Sequence, residues 1–207
     1  MMKERKPFLF GCDISHHNYR PEVLRYISQL AKCDGFVIMK ATEGKTYVDK
    51  RMSEYVSVLQ ASTPEPLYGF YHYARPENNQ AADEAYHFCN TVREHLTHAI
   101  LCLDVEGAAL TVPRIDEWCS QWALAVEAYA GIRPLIYCSR GEVGRFKAVH
   151  EWGCGLWVAD WSSPAAPVVP YWQTPAIWQF SAKTIDCDIF FGSREQFLKY
   201  AAPSAID

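Results

Sequence analysis

Apolar residues follow two alternating rhythms along this chain. Short continuous runs at residues 8–15, 35–41, 67–73, 99–104, 134–139, 156–161, 176–180 and 186–190 read as strands buried on both faces. Between the earlier runs, apolar residues recur at helical spacing. Val23, Leu24, Ile27, Leu30 and Ala31 share one face over residues 21–32, and Pro21 suits a first turn. Met52, Tyr55, Val56 and Leu59 do the same over residues 50–62, and Ala82, Ala85, Tyr86, Cys89, Val92 and Leu96 over residues 79–96. Asp83 and Glu84 lie early in that third helix, where the helix dipole favours anions. Ile115, Trp118, Trp122, Val126 and Tyr129 form the face of a fourth helix, with Thr111 as its expected cap and Pro113 in its first turn. Short helices are predicted over residues 141–149 and 193–201. Residues 162–175 hold four prolines and read as a loop.

Eight strands result, the first five followed by helices and the last three joined by loops. This predicts an α/β fold, a (β/α) TIM-like barrel with an incomplete helix set, (β/α)5(β)3. No internal repeat or linker interrupts the pattern, so the 207 residues are expected to form a single catalytic domain.

Composition narrows the classes. At 49% apolar the chain can fill a large core, and its 7 Trp, 12 Tyr and 10 Phe leave aromatics for a cleft as well. A net charge of −4 argues against a nucleic-acid partner and a polybasic membrane anchor. No apolar run approaches the roughly 18 residues of a membrane span. Residues 1–6 are basic enough to resemble a signal peptide, but the apolar stretch behind them is short and reads as the first strand, so either the chain is not secreted by that route or a leader has been removed. The eight cysteines include no C-x-x-C pair, which argues against a structural zinc site, and no cofactor is expected. Cys89, Cys102, Cys119 and Cys138 sit in apolar patterns and are expected as buried free thiols. His16 and His17, read as the end of a strand, would face opposite ways and make a poor metal pair.

Each apolar run ends, in chain direction, on residues with useful chemistry: Asp13, Lys40, His72 with Arg75, Asp104 with Glu106, Tyr137 with Ser139, Asp160 with Trp161, and Gln179. In a parallel β/α barrel these ends meet at one mouth. Asp104 and Glu106 are two apart in an extended run, so they share a face with attachment points roughly 6.6 Å apart. Two carboxylates so placed can bracket a scissile bond, one as acid and one as partner charge.

The ordered segments Gly11-Cys12-Asp13-Ile14-Ser15-His16-His17, Phe36-Val37-Ile38-Met39-Lys40-Ala41-Thr42-Glu43-Gly44, Tyr68-Gly69-Phe70-Tyr71-His72-Tyr73-Ala74-Arg75-Pro76, Leu103-Asp104-Val105-Glu106, Arg133-Pro134-Leu135-Ile136-Tyr137, Leu156-Trp157-Val158-Ala159-Asp160-Trp161, Trp178-Gln179-Phe180-Ser181 and Ile185-Asp186 resemble glycoside hydrolase family 25, the Ch-type lysozymes or N-acetylmuramidases. The resemblance spans roughly residues 8–191. It implies a flattened barrel and cleavage of the β-1,4 bond between N-acetylmuramic acid and N-acetylglucosamine in peptidoglycan. It implies Glu106 as general acid, its pKa raised by a neighbouring Asp104 that stays ionised. Asp104 would act either as a covalent nucleophile or, the favoured reading, as the group that orients an attacking 2-acetamido substituent. Asp13 and Asp186 match the two other site aspartates of the family, and four carboxylates in one mouth would titrate together. Lys40, His72, Arg75, Tyr137, Trp161 and Gln179 are the candidates for holding sugar, by stacking and by bonds to hydroxyl and acetamido groups.

The chain departs from the family pattern in three places. Asp188 stands where relatives commonly carry Asn, Cys187 replaces an aliphatic residue, and Ser139 falls where a Thr-Asn pair is more usual. The expected partner is a peptidoglycan glycan strand at the bacterial cell wall, met by a monomer without integral membrane association. The setting fits a phage endolysin, a secreted effector, or an autolysin whose leader is missing. A metal-dependent hydrolase is disfavoured because no H-x-H or H-E-x-x-H occurs. A non-catalytic glycan-binding module is disfavoured by the intact acid pair.

Overall fold

The computed structural model describes residues 8–203 except 65 and 97; the basic stretch read above at residues 1–6 lies outside the described residues. In chain order the elements are β1 (Leu9–Ile14), α1 (Pro21–Leu30), β2 (Phe36–Glu43), β3 (Tyr47–Val48), α2 (Met52–Gln60), β4 (Leu67–Tyr73), α3 (Ala81–Val92), β5 (Ala99–Asp104), α4 (Ile115–Ala130), β6 (Leu135–Ser139), α5 (Lys147–Glu151), β7 (Gly155–Ala159), β8 (Ile177–Ser181), β9 (Asp186–Phe190) and α6 (Arg194–Tyr200). Eight strands lie side by side in the order β1-β9-β8-β7-β6-β5-β4-β2, and pairing of β1 with β2 closes the barrel. Five strand–helix units followed by three strands joined without helices give the predicted (β/α)5(β)3 barrel.

Strand alternation sorts the side chains into two cores. Leu9, Phe36, Ile38, Leu67, Ile100, Cys102, Leu135, Tyr137, Trp157, Ile177 and Phe190 fill the barrel, with Phe197 of α6 plugging one end. Cys12, Val37, Met39, Phe70, Leu101, Leu103, Ile136 and Val158 project the other way, onto Ile27, Leu59, Phe88, Trp122 and Val149 of the surrounding helices. Each large side chain so buried contributes on the order of 1.5–3 kcal/mol relative to exposure. The interior is tight enough to demand a glycine: a Cβ on Gly11 would lie 2.5 Å from the Phe36 ring. Cys89, Cys102, Cys119 and Cys138 are buried and free, as expected. No helix among the described residues is long and apolar enough to cross a membrane.

Four local features differ from the sequence reading. A two-residue strand, β3, folds back on the end of β2, pairing Thr42 with Val48 and Glu43 with Tyr47. β9 runs antiparallel to both β8 and β1, whereas the other barrel pairs are parallel. Only residues 182–185 link β8 to β9, which is enough for a hairpin and too short for a parallel crossover. Thr111 does not cap α4; its Oγ1 donates to the Ala108 carbonyl at 2.7 Å. α4 starts instead behind Arg114, which sits in the left-handed region at φ 58°. His16 and His17 do not diverge, because β1 ends at Ile14 and Ser15 caps a 3-10 turn over His16–Asn18 that brings the two rings to 3.8 Å.

Candidate active site

Alternation places Asp13, Lys40, Tyr71, Tyr73, Asp104, Tyr137, Trp157, Gln179, Asp186 and Asp188 on the same parity as the barrel-filling residues. They form its upper layers, at the C-terminal ends of the parallel strands. Because β9 is reversed, its first residues reach this same end: Asp186 pairs with Asp13, and Asp188 pairs with Gly11 and Gln179.

The acid pair is set by backbone bonds that continue past β5. The Val105 amide donates to the Tyr137 carbonyl at 3.0 Å and the Ala74 amide to the Asp104 carbonyl at 3.0 Å. Glu106 remains extended at φ −149° and ψ 178°. Val105 therefore points into the outer core, fully buried, while Asp104 and Glu106 share the mouth. Gly107 then turns the chain at φ 56°, where a Cβ would crowd the Tyr73 hydroxyl at 3.2 Å.

The two acids sit in different surroundings. Asp104 is buried, and its Oδ1 has no hydrogen-bond partner among the described residues. Loss of solvation first, then the charge of Glu106, push its carboxyl well above the usual range, with Lys40 opposing. Glu106 stands at the open rim. Its carboxyl is raised by partial desolvation, with Asp186 adding and Lys40 opposing. Both carboxyls of the pair are thus pushed up, and burial is the largest cause for each.

The opposite wall is anchored through Gln179. Its Nε2 donates to Asp13 Oδ2 at 2.7 Å, and its Oε1 accepts from Tyr137 Oη at 3.1 Å and Trp161 Nε1 at 3.0 Å. Burial and then the Asp186 charge raise the Asp13 carboxyl to about 7, against the bond from Gln179. Tyr137 also packs edge-on to Trp157, with ring centroids 4.7 Å apart. Trp161 is 61% exposed and lines a cleft of about 540 Å³ together with Glu106, Tyr137, Arg140 and Asp160. Arg140 Nη1 is held at 2.9 Å from Asp160 Oδ2. On the other side Lys40 Nζ lies 2.7 Å from Glu43 Oε2, and Arg75 Nε lies 2.7 Å from Glu43 Oε1. Both cations also lie over the Tyr73 ring, at 4.6 and 4.7 Å.

Of the predicted residues, Asp13, Lys40, Asp104, Glu106, Tyr137, Trp161, Gln179 and Asp186 come together at the mouth, with Arg75 at its edge through Glu43. His72 does not. It follows Tyr71 and precedes Tyr73, so it takes the outward parity and is fully buried against the helices. Its Nδ1 lies 2.7 Å from Thr42 Oγ1, its Nε2 lies 2.7 Å from Glu84 Oε2, and its ring stacks on Trp122 at 5.5 Å. No face of it is open to a ligand. Gln179, only 3% exposed, supports the wall from behind. Tyr71, Tyr73, Trp157, Glu43 and Arg140 were absent from the sequence-derived set. The alternation that placed Asp104 also marks Tyr71 and Tyr73, whereas Glu43 follows a register shift in β2 between Lys40 and Thr42 and Arg140 lies past the end of β6. No group of three or more His, Cys, Asp or Glu side chains among the described residues is arranged to hold a metal ion.

Comparison with known proteins agrees with this geometry. The structure of a muramidase from Acremonium alcalophilum superimposes with a TM-score of 0.78 at 21% identity, covering 93% of this chain and 98% of that one. A bacterial lysozyme from Streptomyces coelicolor gives 0.77 at 22% identity, covering 93% and 96%. A family GH25 lysozyme from Aspergillus fumigatus gives 0.75 at 26% identity, covering 95% and 100%. No curated protein sequence matches the chain. The family model described as glycosyl hydrolases family 25 matches residues 12–189, nearly the whole barrel. An acid pair at the mouth of this barrel, and a match of that extent, place the chain in glycosyl hydrolases family 25, and it is a glycoside hydrolase.

Proposed function

We propose that the protein is an N-acetylmuramidase that cleaves the β-1,4 bond between N-acetylmuramic acid and N-acetylglucosamine in peptidoglycan. The observation that carries this reading is the unsatisfied Oδ1 of buried Asp104 beside the open, proton-holding Glu106. Glu106 donates its proton to the glycosidic oxygen as the C1–O bond breaks. The acetamido carbonyl oxygen of the muramic acid attacks C1, and the acetamido N–H donates to Asp104 Oδ1, which has no competing partner. As that N–H becomes acidic, Asp104 takes up the positive charge, so substrate binding must first draw Asp104 to its ionised form. Water then attacks C1, gives its proton to the Glu106 carboxylate and restores the acetamido group.

Trp161 offers an exposed face for a pyranose ring, and Lys40 and Arg75, clamped by Glu43, bring positive charge to the acidic floor. The chain would act as one catalytic domain and as a monomer on glycan strands of the cell wall. Its net charge of −4 favours no nucleic acid. The test is clearance of a peptidoglycan suspension with analysis of the products. New muramic-acid reducing ends are expected, and Glu106→Gln should abolish their release. Glucosamine reducing ends would overturn the bond assignment, and an active Glu106→Gln variant would overturn the choice of acid.

A further inference from the structure

Asp188 is fully buried on the inward face of β9. Its Oδ1 accepts from Trp157 Nε1 at 2.9 Å. Its Oδ2 meets no N–H or O–H donor among the described residues. Asp13 stands on the same inward face of β1, two residues from Gly11, the cross-strand partner of Asp188, and the two carboxyls are close enough to interact. Two ionised carboxylates are acceptors only and cannot bond one another; a proton on one makes it a donor to the other. Of the pair, Asp13 already accepts from Gln179, so it is the better carboxylate. Asp188 has a bare oxygen, and so is the better place for the proton.

We infer that Asp188 is a protonated carboxylic acid in the working enzyme and donates from Oδ2 to Asp13, acting as the positioning residue that keeps Asp13 ionised and aimed at the mouth. In this form it does the work of an amide, accepting from Trp157 with one oxygen and donating to Asp13 with the other group. Its surroundings favour the neutral form. Asp13 and Asp186 bring carboxyls and Cys102 a thiol on the same inward side, while Cys12 and Cys187 lie close by on the other face of the sheet. Tyr137 and Tyr26 add hydroxyls, and none of these groups is a cation. Burial, followed by the charge of Asp13, pushes the Asp188 carboxyl well up.

The inference rests on the reading of Asp13 as a residue of the catalytic mouth, yet it can be tested without activity. Wild type, Asp188→Asn and Asp188→Leu are compared with aspartate carboxyls labelled by carbon-13. At pH 6 the infrared spectrum of wild type should contain a protonated-carboxylic-acid band, beside those of Asp13 and Asp104, that both variants lose. The titration midpoint of Asp13, followed by carbon NMR, should stay in place in Asp188→Asn, where the amide still donates. It should rise by about one pH unit, a tenfold gain in proton affinity, in Asp188→Leu. Peptidoglycan cleavage should fall at least about tenfold in kcat in Asp188→Leu with KM little changed, and Asp188→Asn should recover most of it. An ionised Asp188 would give the opposite sign, because removing its charge lowers the Asp13 midpoint in both variants. That fall, or an unchanged infrared band, overturns the inference. If Asp188→Leu does not fold, the band and the midpoint in Asp188→Asn decide alone. The expected titration shift with unaltered cleavage in Asp188→Leu overturns the positioning role, while the proposed bond specificity stands or falls on the wild-type products.

Discussion

Gln179 Nε2 donates to Asp13 Oδ2 at 2.7 Å, so a residue of β8 holds a carboxylate of β1 across the intervening β9. That bond favours the ionised form of Asp13, and removing it must favour the proton. In Gln179→Leu the Asp13 midpoint should therefore rise above its value of about 7. A hydrogen bond to a charged group is worth roughly 1.5–3 kcal/mol, or about one to two pH units. Carbon NMR of the labelled carboxyl measures it; a midpoint that stays or falls would show that the bond does not control the charge.

Glu106→Gln keeps the shape of the rim and removes the proton donor. Loss of a general acid typically costs about 10²–10⁴-fold in rate. The loss should appear in kcat, with thermal stability unchanged, because Glu106 is solvent-exposed and makes no bond that holds the barrel. A melting temperature that drops along with activity would point to a structural role instead.

Stability should depend on pH in a definite direction. Asp13, Asp104 and Asp188 all hold protons more tightly when folded than the usual unfolded aspartate near 3.9. The folded state thus binds more protons, and stability is fully present below about pH 4 and falls as pH rises through the folded values, near 7 for Asp13. Between pH 5 and pH 8 the Asp13 carboxyl alone should take away roughly 2–3 kcal/mol, with Asp104 and Asp188 adding in the same direction, a melting-temperature drop of at least several degrees for a chain of this size. Calorimetry at the two pH values checks it; a higher melting temperature at pH 8 would contradict the placement of these carboxyls.

His72→Leu should separate packing from sugar binding. The substitution leaves Glu84, fully buried, without its imidazole partner. Burial holds the imidazole below its usual pKa, hence neutral, and Glu84 keeps its bonds from the Arg75 amide and Asn79, so losing this one buried partner should cost about 1–3 kcal/mol. Urea denaturation should show that loss, while KM for peptidoglycan in the folded fraction stays unchanged. A raised KM at full stability would return His72 to the binding surface.

Trp161→Ala should act on binding alone. Its ring is largely exposed and, among the described residues, is hydrogen-bonded by its Nε1 to Gln179 alone. KM should rise several-fold with kcat held within about twofold, as expected of aromatic contact worth about 1 kcal/mol. An unchanged KM on soluble glycan fragments would remove Trp161 from the sugar path.

The barrel was legible because its strands are continuous apolar runs of ordinary length, and the acid pair because Asp104 and Glu106 share a parity that burial of Val105 enforces. The same parity sets His72 outward: in LYGFYHY the inward residues are Tyr71 and Tyr73, counted from the register that sets Tyr73 beside Asp104. The direction of β9 was also within reach, since its four-residue approach forbids a crossover. What no local pattern reveals is long-range pairing. The Asp13–Gln179 bond joins residues 166 positions apart, and the Asp160–Arg140 pair depends on how two loops meet. How far each of Asp104 and Glu106 is desolvated depends on depth in the mouth, which strand spacing does not carry.

The reversed final strand has a consequence for how the enzyme comes into being. A growing chain holds Asp13, Asp104 and Glu106 long before β9 emerges, but Asp186, Asp188 and the seam between β1 and β8 arrive only with the last stretch of the barrel. The acids of β1 and β5 therefore belong to a sheet that stays open until β9 joins β1 to β8, and the mouth is complete only then.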